Sequence, residues 1–273
     1  MTMIICADDY GLGEDINEAV LNLAAARRLT AVSCMMNTPA MGRAAMASLA
    51  GLGGRVEAGL HLCLTDFTPL SGPEKVRSLV SGHGRLESFR VLLHRSVTGR
   101  VVPAQVSMEI AKQYARFQEL AGRPPAFVDS HLHVHQFPGV RDGLMQFLDT
   151  RPAGCKNLWV RNAHISSARI VRQGVSPLKC LAISMFGRQM RRRLMENGIA
   201  TNHGFGGIYD YRRYAHYEDY LKRFIACARH PDSLLMAHPG FADHWRRAEY
   251  DALLRLDMPA GRLNCFRSGR DGD

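Results

Sequence analysis

The sequence predicts an α/β fold in a single domain over residues 1–273, built as a barrel of parallel strands and helices, regular or distorted. Three observations lead to this prediction. Short apolar runs alternate with longer amphipathic segments, which indicates a parallel sheet covered by helices. The length of 273 residues, 46% of them hydrophobic, suits one barrel. Polar motifs follow several of the apolar runs, where parallel sheets bind ligands.

The elements follow one another in a regular order. Apolar runs predict strands at 2–7, 30–36, 56–64, 126–135, 158–160, 233–237 and 262–266. Helical spacing of apolar residues predicts helices at 14–28, 41–51, 103–121, 138–149, 177–196, 216–229 and 246–256. Residues 65–87 are expected to form a long loop and 268–273 a frayed tail. No glycine-rich phosphate loop follows the first strand, which argues against a dinucleotide-binding fold.

Composition limits the partners and the compartment. The net charge of +10 favours acidic partners, although an ordinary basic enzyme has the same charge. No nucleic-acid-binding motif accompanies the charge, so no nucleic-acid partner is expected. The seven cysteines form no C-x-x-C pair, and neither a secretory signal nor a long apolar span is found. We therefore expect a cytoplasmic protein.

Two adjacent carboxylates, Asp8 and Asp9, follow the first apolar strand in the sequence Ala-Asp-Asp-Tyr-Gly. Two such groups would repel each other if both were dry and unpaired. A metal ion removes the conflict, because one carboxylate can bind it while the other stays free as a base. A turn followed by a helix cap is the alternative interpretation, since aspartate and glycine favour both.

Two single histidines are associated with other strands. His61 lies within the apolar run at 59–64, where it could be either a metal ligand or an ordinary buried histidine. His238 follows the run at 234–237 and precedes a Pro-Gly turn. That position suits proton transfer, although a histidine at a surface turn has the same sequence context.

The strongest motif is Asp-Ser-His-Leu-His-Val-His at 129–135. In a strand, the spacing places His131, His133 and His135 on one face, and imidazoles converging on one face are typical metal ligands. Asp129 offers an acceptor that could orient a histidine. A polar strand face without an ion is the alternative.

Together these segments resemble the YdjC-like (ChbG/HpnK) carbohydrate deacetylases. The matching stretches are ADDYG at 7–11, GLHLCLT at 59–65, VDSHLHVH at 128–135 and LMAHPG at 235–240. The resemblance extends from about residue 3 to 265 and is weakest between 161 and 210, a variable segment expected to determine substrate specificity. It implies a distorted, TIM-barrel-like (β/α) barrel.

The resemblance also implies a site. The metal ligands would be Asp9, His61 and His131, with Asp8 as general base and His238 as general acid. Asp129, His133, His135, Tyr10 and Asn37 would orient the ligands or bind substrate. Leu132 departs from the polar residue that many relatives carry, and it is expected on the face away from the metal.

The expected function is therefore metal-dependent hydrolysis of the acetamide of an N-acetylated sugar, free or attached to a lipid. The ligand set suits Zn²⁺, and Mg²⁺ or another divalent ion is not excluded. Two alternatives remain: another metal-dependent barrel hydrolase, such as an amidohydrolase or phosphoesterase, and a basic binding protein with a vestigial site. The oligomeric state is left open.

The predicted helix at 177–196 mixes apolar residues with four arginines near its end, Arg188, Arg191, Arg192 and Arg193. Such a helix can lie on an anionic membrane surface, which would give the protein a peripheral membrane contact. A packed helix with a solvated basic end is the alternative.

Overall fold

Seven parallel strands form one sheet that curls into a half-barrel with helices around it. The computed structural model describes residues 3–150, 158–257, 263 and 265–266. The strand order across the sheet is β5-β4-β3-β2-β1-β7-β6. The strands are β1 (Ile4–Tyr10), β2 (Ala31–Cys34), β3 (Glu57–Leu62), β4 (Phe127–Ser130), β5 (Trp159–Val160), β6 (Gly204–Gly206) and β7 (Ser233–Ala237). The predicted α/β barrel class is thereby confirmed.

Nine α-helices in the described residues connect these strands. They are α1 (Glu14–Ala25), α2 (Arg43–Ala50), α3 (Phe89–Val97), α4 (Pro103–Ala121), α5 (Val140–Asp149), α6 (Ser167–Gln173), α7 (Pro177–Glu196), α8 (Tyr217–Ala226) and α9 (His244–Arg255). The bounds of α4 and α7 agree with the prediction, because a proline begins each helix and an apolar periodicity runs through it. The sequence analysis missed α3, α6 and β6, which are short.

Side chains alternate between the two faces of each strand, and this alternation builds the core. In β1, Ile5 and Ala7 pack in the larger apolar cluster with the helices. Ile4 and Cys6 point to the other face, where they join a cluster with residues of β4, β5, β6 and β7. This second cluster lies on the concave side of the sheet and fills the half-barrel.

Aromatic rings fill one end of the interior of the half-barrel. The Trp159 ring stacks on Phe127 and on Phe266, with ring centroids 4.5 and 4.7 Å apart. Gly59 on β3 makes room for this stack, because a Cβ atom there would lie 2.3 Å from the Phe127 ring. These stacked rings form an apolar floor of the half-barrel. The floor excludes water from beneath the polar side chains that lie further along the strands.

The open edge between β5 and β6 is held by polar contacts. Val160 forms a parallel bridge with Thr201, and the side-chain amide of Asn202 donates to the backbone carbonyl of Asn162 at 2.9 Å. Leu263 makes a parallel bridge with Met3, whereas residues 262 and 264 of the strand predicted at 262–266 lie outside the described residues, as does the tail at 268–273.

The strand predicted over 126–135 is wrong in its second half. β4 ends at Ser130, and His131–Gln136 forms a 3₁₀ turn in which Leu132 and His133 have φ values of 56° and 57°. The Ser130 hydroxyl accepts from the backbone N–H of His135 at 3.0 Å and stabilises this turn. The three histidines therefore do not share one face, because the chain turns sharply after the first of them.

None of the helices in the part of the chain that the structure describes is both long and apolar enough to cross a membrane.

Candidate metal centre and active site

The site is the next layer of the half-barrel interior above its apolar floor. On six of the seven strands, the residue two positions beyond an inward apolar residue or glycine is polar. Asp8 follows Cys6, and His238 follows Met236, at the ends of β1 and β7. The same alternation gives Ser33, His61, Asp129 and Arg161 on the neighbouring strands. Parallel strands thus carry all six side chains to one end of the barrel.

Asp8 is held by a buried arginine that follows β5. Arg161 donates to both carboxylate oxygens of Asp8, at 2.6 and 2.7 Å, and is itself fully buried. The same guanidinium contacts the Asp129 carboxylate at 2.5 Å. Burial acts to lower the pKa of Arg161, but Asp129 and Asp8 raise it well above its ordinary value. Arg161 therefore fixes two carboxylates with a permanent positive charge.

His61 is oriented by Asp129. Its Nδ1 lies 2.7 Å from the Asp129 carboxylate and 3.0 Å from the Ser33 hydroxyl. Because the carboxylate accepts, Nδ1 carries the proton and Nε2 is the atom that faces the site, 3.4 Å from Asp9 Oδ1. A histidine held by a carboxylate in this way is typical of metal centres.

Asp9 turns away from Asp8 although it follows it directly in sequence. Its φ of 67° is left-handed, so the side chain leaves the regular alternation of β1. Oδ1 lies 2.9 Å from His131 Nδ1, and Oδ2 accepts from Arg246 at 2.7 Å. One oxygen therefore faces the two histidines while the other is held by an arginine.

Asp9, His61 and His131 fit a metal ion. One ligand atom from each lies within 4.8 Å of the other two. The distances from Asp9 Oδ1 to the two histidine nitrogens, 2.9 and 3.4 Å, are close to the roughly 3.3 Å that separates two ligands of a tetrahedral Zn²⁺. A second group, Cys6, Asp8 and Asp129, is bridged by the Arg161 guanidinium instead.

The buried charges also favour a cation. Three carboxylates, on Asp8, Asp9 and Asp129, accompany two guanidinium groups, on Arg161 and Arg246. The pKa of His61 shows the effect of this surplus of negative charge. Burial acts to lower this pKa, but Asp129 and Asp8 raise it to about 10. A positive charge is thus strongly favoured at this position, and a bound divalent ion would supply one.

The same environment favours the charged form of Asp9. Burial acts to raise the pKa of this carboxyl, but the charge and hydrogen bond of His131 and the hydrogen bond of His61 hold it well below its ordinary value. An ionised carboxylate beside two imidazoles is an ordinary donor set for a divalent metal.

His238 lies across the site from this group, at the end of β7. Its backbone N–H donates to Glu249 at 2.6 Å, while its Nδ1 is buried without a hydrogen-bond partner. Its ring packs edge-on against Tyr211 and Trp245, with centroids 5.9 Å away in both cases. The imidazole is held in place by these contacts and remains available to a bound molecule.

The site opens into a cavity of about 600 Å³ with largely apolar walls. The walls come from α3, α7, α9, the turn at 131–137 and the segments around β6 and β7. They include Phe89, Leu93, Phe137, Ile183, Phe186, Ile208, Tyr211, Met236 and Trp245. Leu132 also lines this cavity and is 45% exposed. The expectation that Leu132 faces away from the metal is therefore wrong, because its left-handed backbone turns it towards the cavity.

The remaining predicted residues lie at different distances from the cavity. Asp129 contacts His61, as described, and His133 lines the cavity with a buried Nδ1 that has no partner. His135 is buried beneath, where it bonds the Ser130 hydroxyl and the Arg161 carbonyl at 2.6 and 2.8 Å. The structure therefore brings His131 and His133 to the cavity and directs His135 into the protein.

Tyr10 and Asn37 are not among the residues that line the cavity. The Tyr10 hydroxyl donates to the Ala45 carbonyl of α2 at 2.6 Å, so this side chain packs β1 against the helix layer. The Asn37 amide donates to the carbonyls of Cys63 and Thr68 and holds the loop that follows β3.

Sequence reasoning missed both arginines of the site. Arg161 directly follows a predicted strand, so its position at a strand end was a usable signal. Arg246 lies in the predicted helix at 246–256, where nothing in the periodicity separates it from a solvated charge. Glu249 on the same predicted helix was missed for the same reason, and Trp245 lies one residue before its predicted start.

Comparison with known proteins gives a family and a fold. A family model described as YdjC-like protein matches residues 2–260. A chitooligosaccharide deacetylase of Serratia marcescens is 34% identical over 138 residues, which cover 50% of this chain and 52% of the relative. A carbohydrate deacetylase of Mus musculus is 35% identical over 142 residues, covering 50% of this chain and 44% of the relative. The chain thus spans about half the length of the curated relatives it matches.

A solved structure shares the fold over nearly the whole chain. It is described as a cellobiose-phosphate cleavage protein of Enterococcus faecalis V583, and it matches with a TM-score of 0.68 and 20% sequence identity. The match covers 93% of this chain and 90% of that one.

Proposed function

Given that the chain belongs to the family of YdjC-like proteins, we propose that it is a carbohydrate deacetylase, a hydrolase that removes the acetyl group from an N-acetylated sugar. The observation that carries the proposal is the convergence of Asp9, His61 and His131 with Asp8 and His238 in the wall of one cavity. The names of the relatives, chitooligosaccharide and carbohydrate deacetylase, support the substrate class.

We assign the metal to Asp9, His61 and His131. A divalent ion, with Zn²⁺ and Mg²⁺ as the first candidates, supplies Lewis-acid chemistry when bound, because it polarises a carbonyl and makes water more acidic. Neighbouring side chains orient two of these ligands: Arg246 fixes Asp9, and Asp129 fixes His61. Asp9 and His61 therefore each have a second contact that sets the direction of the side chain.

Asp8 accepts the proton of the attacking water in this proposal. Arg161 occupies two of the roughly four acceptor positions of the carboxylate, which leaves others for water. The bidentate contact also stops the carboxylate from turning towards the ligands of the metal. A base needs this fixed direction, since proton transfer requires hydrogen-bond distance to the water.

His238 donates a proton to the nitrogen that leaves as an amine. Its Nδ1 lies 3.9 Å from the Glu249 carboxylate, and its ring lines the cavity and is held by Tyr211 and Trp245. Without this proton, the departing group would be a strongly basic amide anion, so the acid is as necessary as the base. The aromatic walls beside His238 would pack against the apolar faces of a sugar ring and exclude water from the site.

The test is acetate release from a panel of N-acetylated sugars. Purified protein should be stripped with a chelator, supplied in turn with Zn²⁺, Mg²⁺ and Mn²⁺, and assayed with N-acetylglucosamine, its short oligomers and a glycolipid that carries it. We expect acetate and a free amine in equal amounts with at least one ion. Absence of acetate with every sugar and every ion, from protein that is folded and metal-loaded, would refute the proposal.

A further inference from the structure

Helix α7 presents an apolar stripe to the outside of the molecule. Leu178, Leu181 and Met185 are 82%, 51% and 64% exposed. Their spacing of three and four residues places them on one side of the helix, opposite the buried Cys180 and Gly187. Three large apolar side chains in a row on an exposed helix are unusual for a surface that faces water alone.

Basic side chains continue this stripe towards the end of α7. Arg188 and Arg192 follow Met185 on the same side of the helix at spacings of three and four residues. Together with Arg191 they line a groove of about 450 Å³ whose other wall includes Ser166 and Ser167. In the described parts of the chain, Arg188 and Arg191 form no ion pair with a carboxylate, so their charges are available to an outside anion.

The stripe also borders the cavity. Lys179, Ala182, Ile183 and Phe186 on the adjoining side of α7 line the cavity wall. The helix cannot easily turn to bury its stripe, because a Cβ at Gly187 would lie 2.6 Å from the backbone nitrogen of His164. The apolar stripe is therefore a fixed outer rim of the cavity.

The charge of α7 indicates which partner this outer face can bind. Helix α7 contains five basic residues and one acidic residue, and the whole chain carries a net charge of +10. Two copies packed through this face would bring like charges together, which opposes self-association. An anionic bilayer complements both parts of the face, because its headgroups attract the arginines and its hydrocarbon edge accepts the leucines and the methionine.

We propose that the outer face of α7, consisting of the apolar stripe and the arginine groove, docks the protein on an anionic membrane surface. The apolar stripe enters the boundary between headgroups and acyl chains, and the groove binds lipid phosphates. The cavity mouth then lies next to the bilayer. The proposal does not depend on the deacetylase assignment, because it rests on the outer face and not on the metal centre.

The experiment is co-sedimentation with vesicles of phosphatidylcholine alone and of phosphatidylcholine with an equal part of phosphatidylglycerol, at about 0.1 M salt. The wild type is expected to bind the anionic vesicles and to remain unbound with the neutral ones. Each basic side chain near an anionic surface strengthens binding by about fivefold, so R188Q/R191Q/R192Q should weaken the partition by about 100-fold. The variant L178Q/L181Q/M185Q should bind more weakly than the wild type and lose the binding that survives high salt.

The matched control removes the same charge elsewhere. Arg55, Arg123 and Arg229 are exposed and precede β3, β4 and β7, at the other ends of the strands from the site. R55Q/R123Q/R229Q should keep binding close to wild type. An equal loss in this variant would overturn the proposal in favour of net charge alone, and so would failure of the wild type to bind anionic vesicles. A change of oligomeric state in L178Q/L181Q/M185Q with unchanged vesicle binding would assign the stripe to a second copy instead.

Discussion

At the scale of single residues, the most informative contrast is between Asp8 and Asp9. They are neighbours in sequence, yet Asp8 is held by Arg161 and Asp9 faces His61 and His131. The difference arises because Asp9 adopts a left-handed backbone, which takes its side chain out of the strand alternation. Two carboxylates in such different surroundings are expected to serve different roles.

This contrast leads to a prediction for two substitutions. Asp8→Asn should retain the metal ion but lose activity by at least about 100-fold, the usual contribution of a general base. Asp9→Asn should lose both, because it removes a donor atom. Metal content by elemental analysis and acetate release are measured on the same samples, with Asp219→Asn, an exposed position on α8, as control. Loss of the ion in Asp8→Asn and its retention in Asp9→Asn would reverse the two roles.

At the scale of elements, the turn at 131–136 determines where each histidine of the motif lies. His135 is fully buried, donates to the Arg161 carbonyl through Nε2 and bonds the Ser130 hydroxyl through Nδ1. Burial is the largest cause that lowers the pKa of His135, to about 4. The folded protein therefore holds this ring neutral, whereas the unfolded chain protonates it near pH 6.5.

Stability should consequently fall as the pH decreases from about 6.5 towards 4. In this window the unfolded chain binds a proton at His135 that the folded protein does not, which favours unfolding by about 1.4 kcal/mol at pH 5.5. His135→Gln should lower the melting temperature at pH 8 but show a smaller further decrease at pH 5.5 than the wild type. An identical pH dependence in both proteins would contradict the burial of a neutral His135.

The elements also show which secondary structure a sequence pattern can predict and which it cannot. The bounds predicted for helix α4 from its apolar spacing agree with the observed ones: Pro103 is its first residue, and Gly122 ends it with a left-handed backbone. The 3₁₀ turn was missed because His131, His133 and His135 at alternate positions imitate a strand. The deciding contact is the Ser130 hydroxyl on the His135 backbone, a local bond that competes with strand geometry.

At the scale of the whole molecule, the three ligands come from three different strand ends, so an ion would join separate parts of the sheet. Protein stripped by a chelator should melt at a lower temperature than protein supplied with Zn²⁺. An ion present at 100 times its dissociation constant stabilises the folded state by about 2.7 kcal/mol. His61→Ala and His131→Ala should lose the rise in melting temperature, while His83→Ala in an exposed loop should keep it. An equal rise in all of these proteins would place the ion elsewhere.

The candidate site was predictable to the extent that each residue lies at or near the C-terminal end of an apolar strand. Asp8, His61 and His238 meet this condition, so the strand pattern alone places them at one end of the barrel. Arg246 could not be found in this way, because it reaches Asp9 from a helix at the far end of the chain. Its contact depends on how α9 packs against α1 and α8, which periodicity does not reveal.

The sequence separations within the site have a consequence for how the protein is made. Arg161 is 153 residues from Asp8, and Arg246 is 237 residues from Asp9. Contacts between such distant parts of a chain form late, because a long loop must close before they stabilise anything. On the ribosome, β1 emerges with its two acidic side chains well before Arg246, which is synthesised 237 residues after Asp9. An ion bound to Asp9 in its final position, with the Arg246 contact made, would therefore mark the end of folding rather than its beginning.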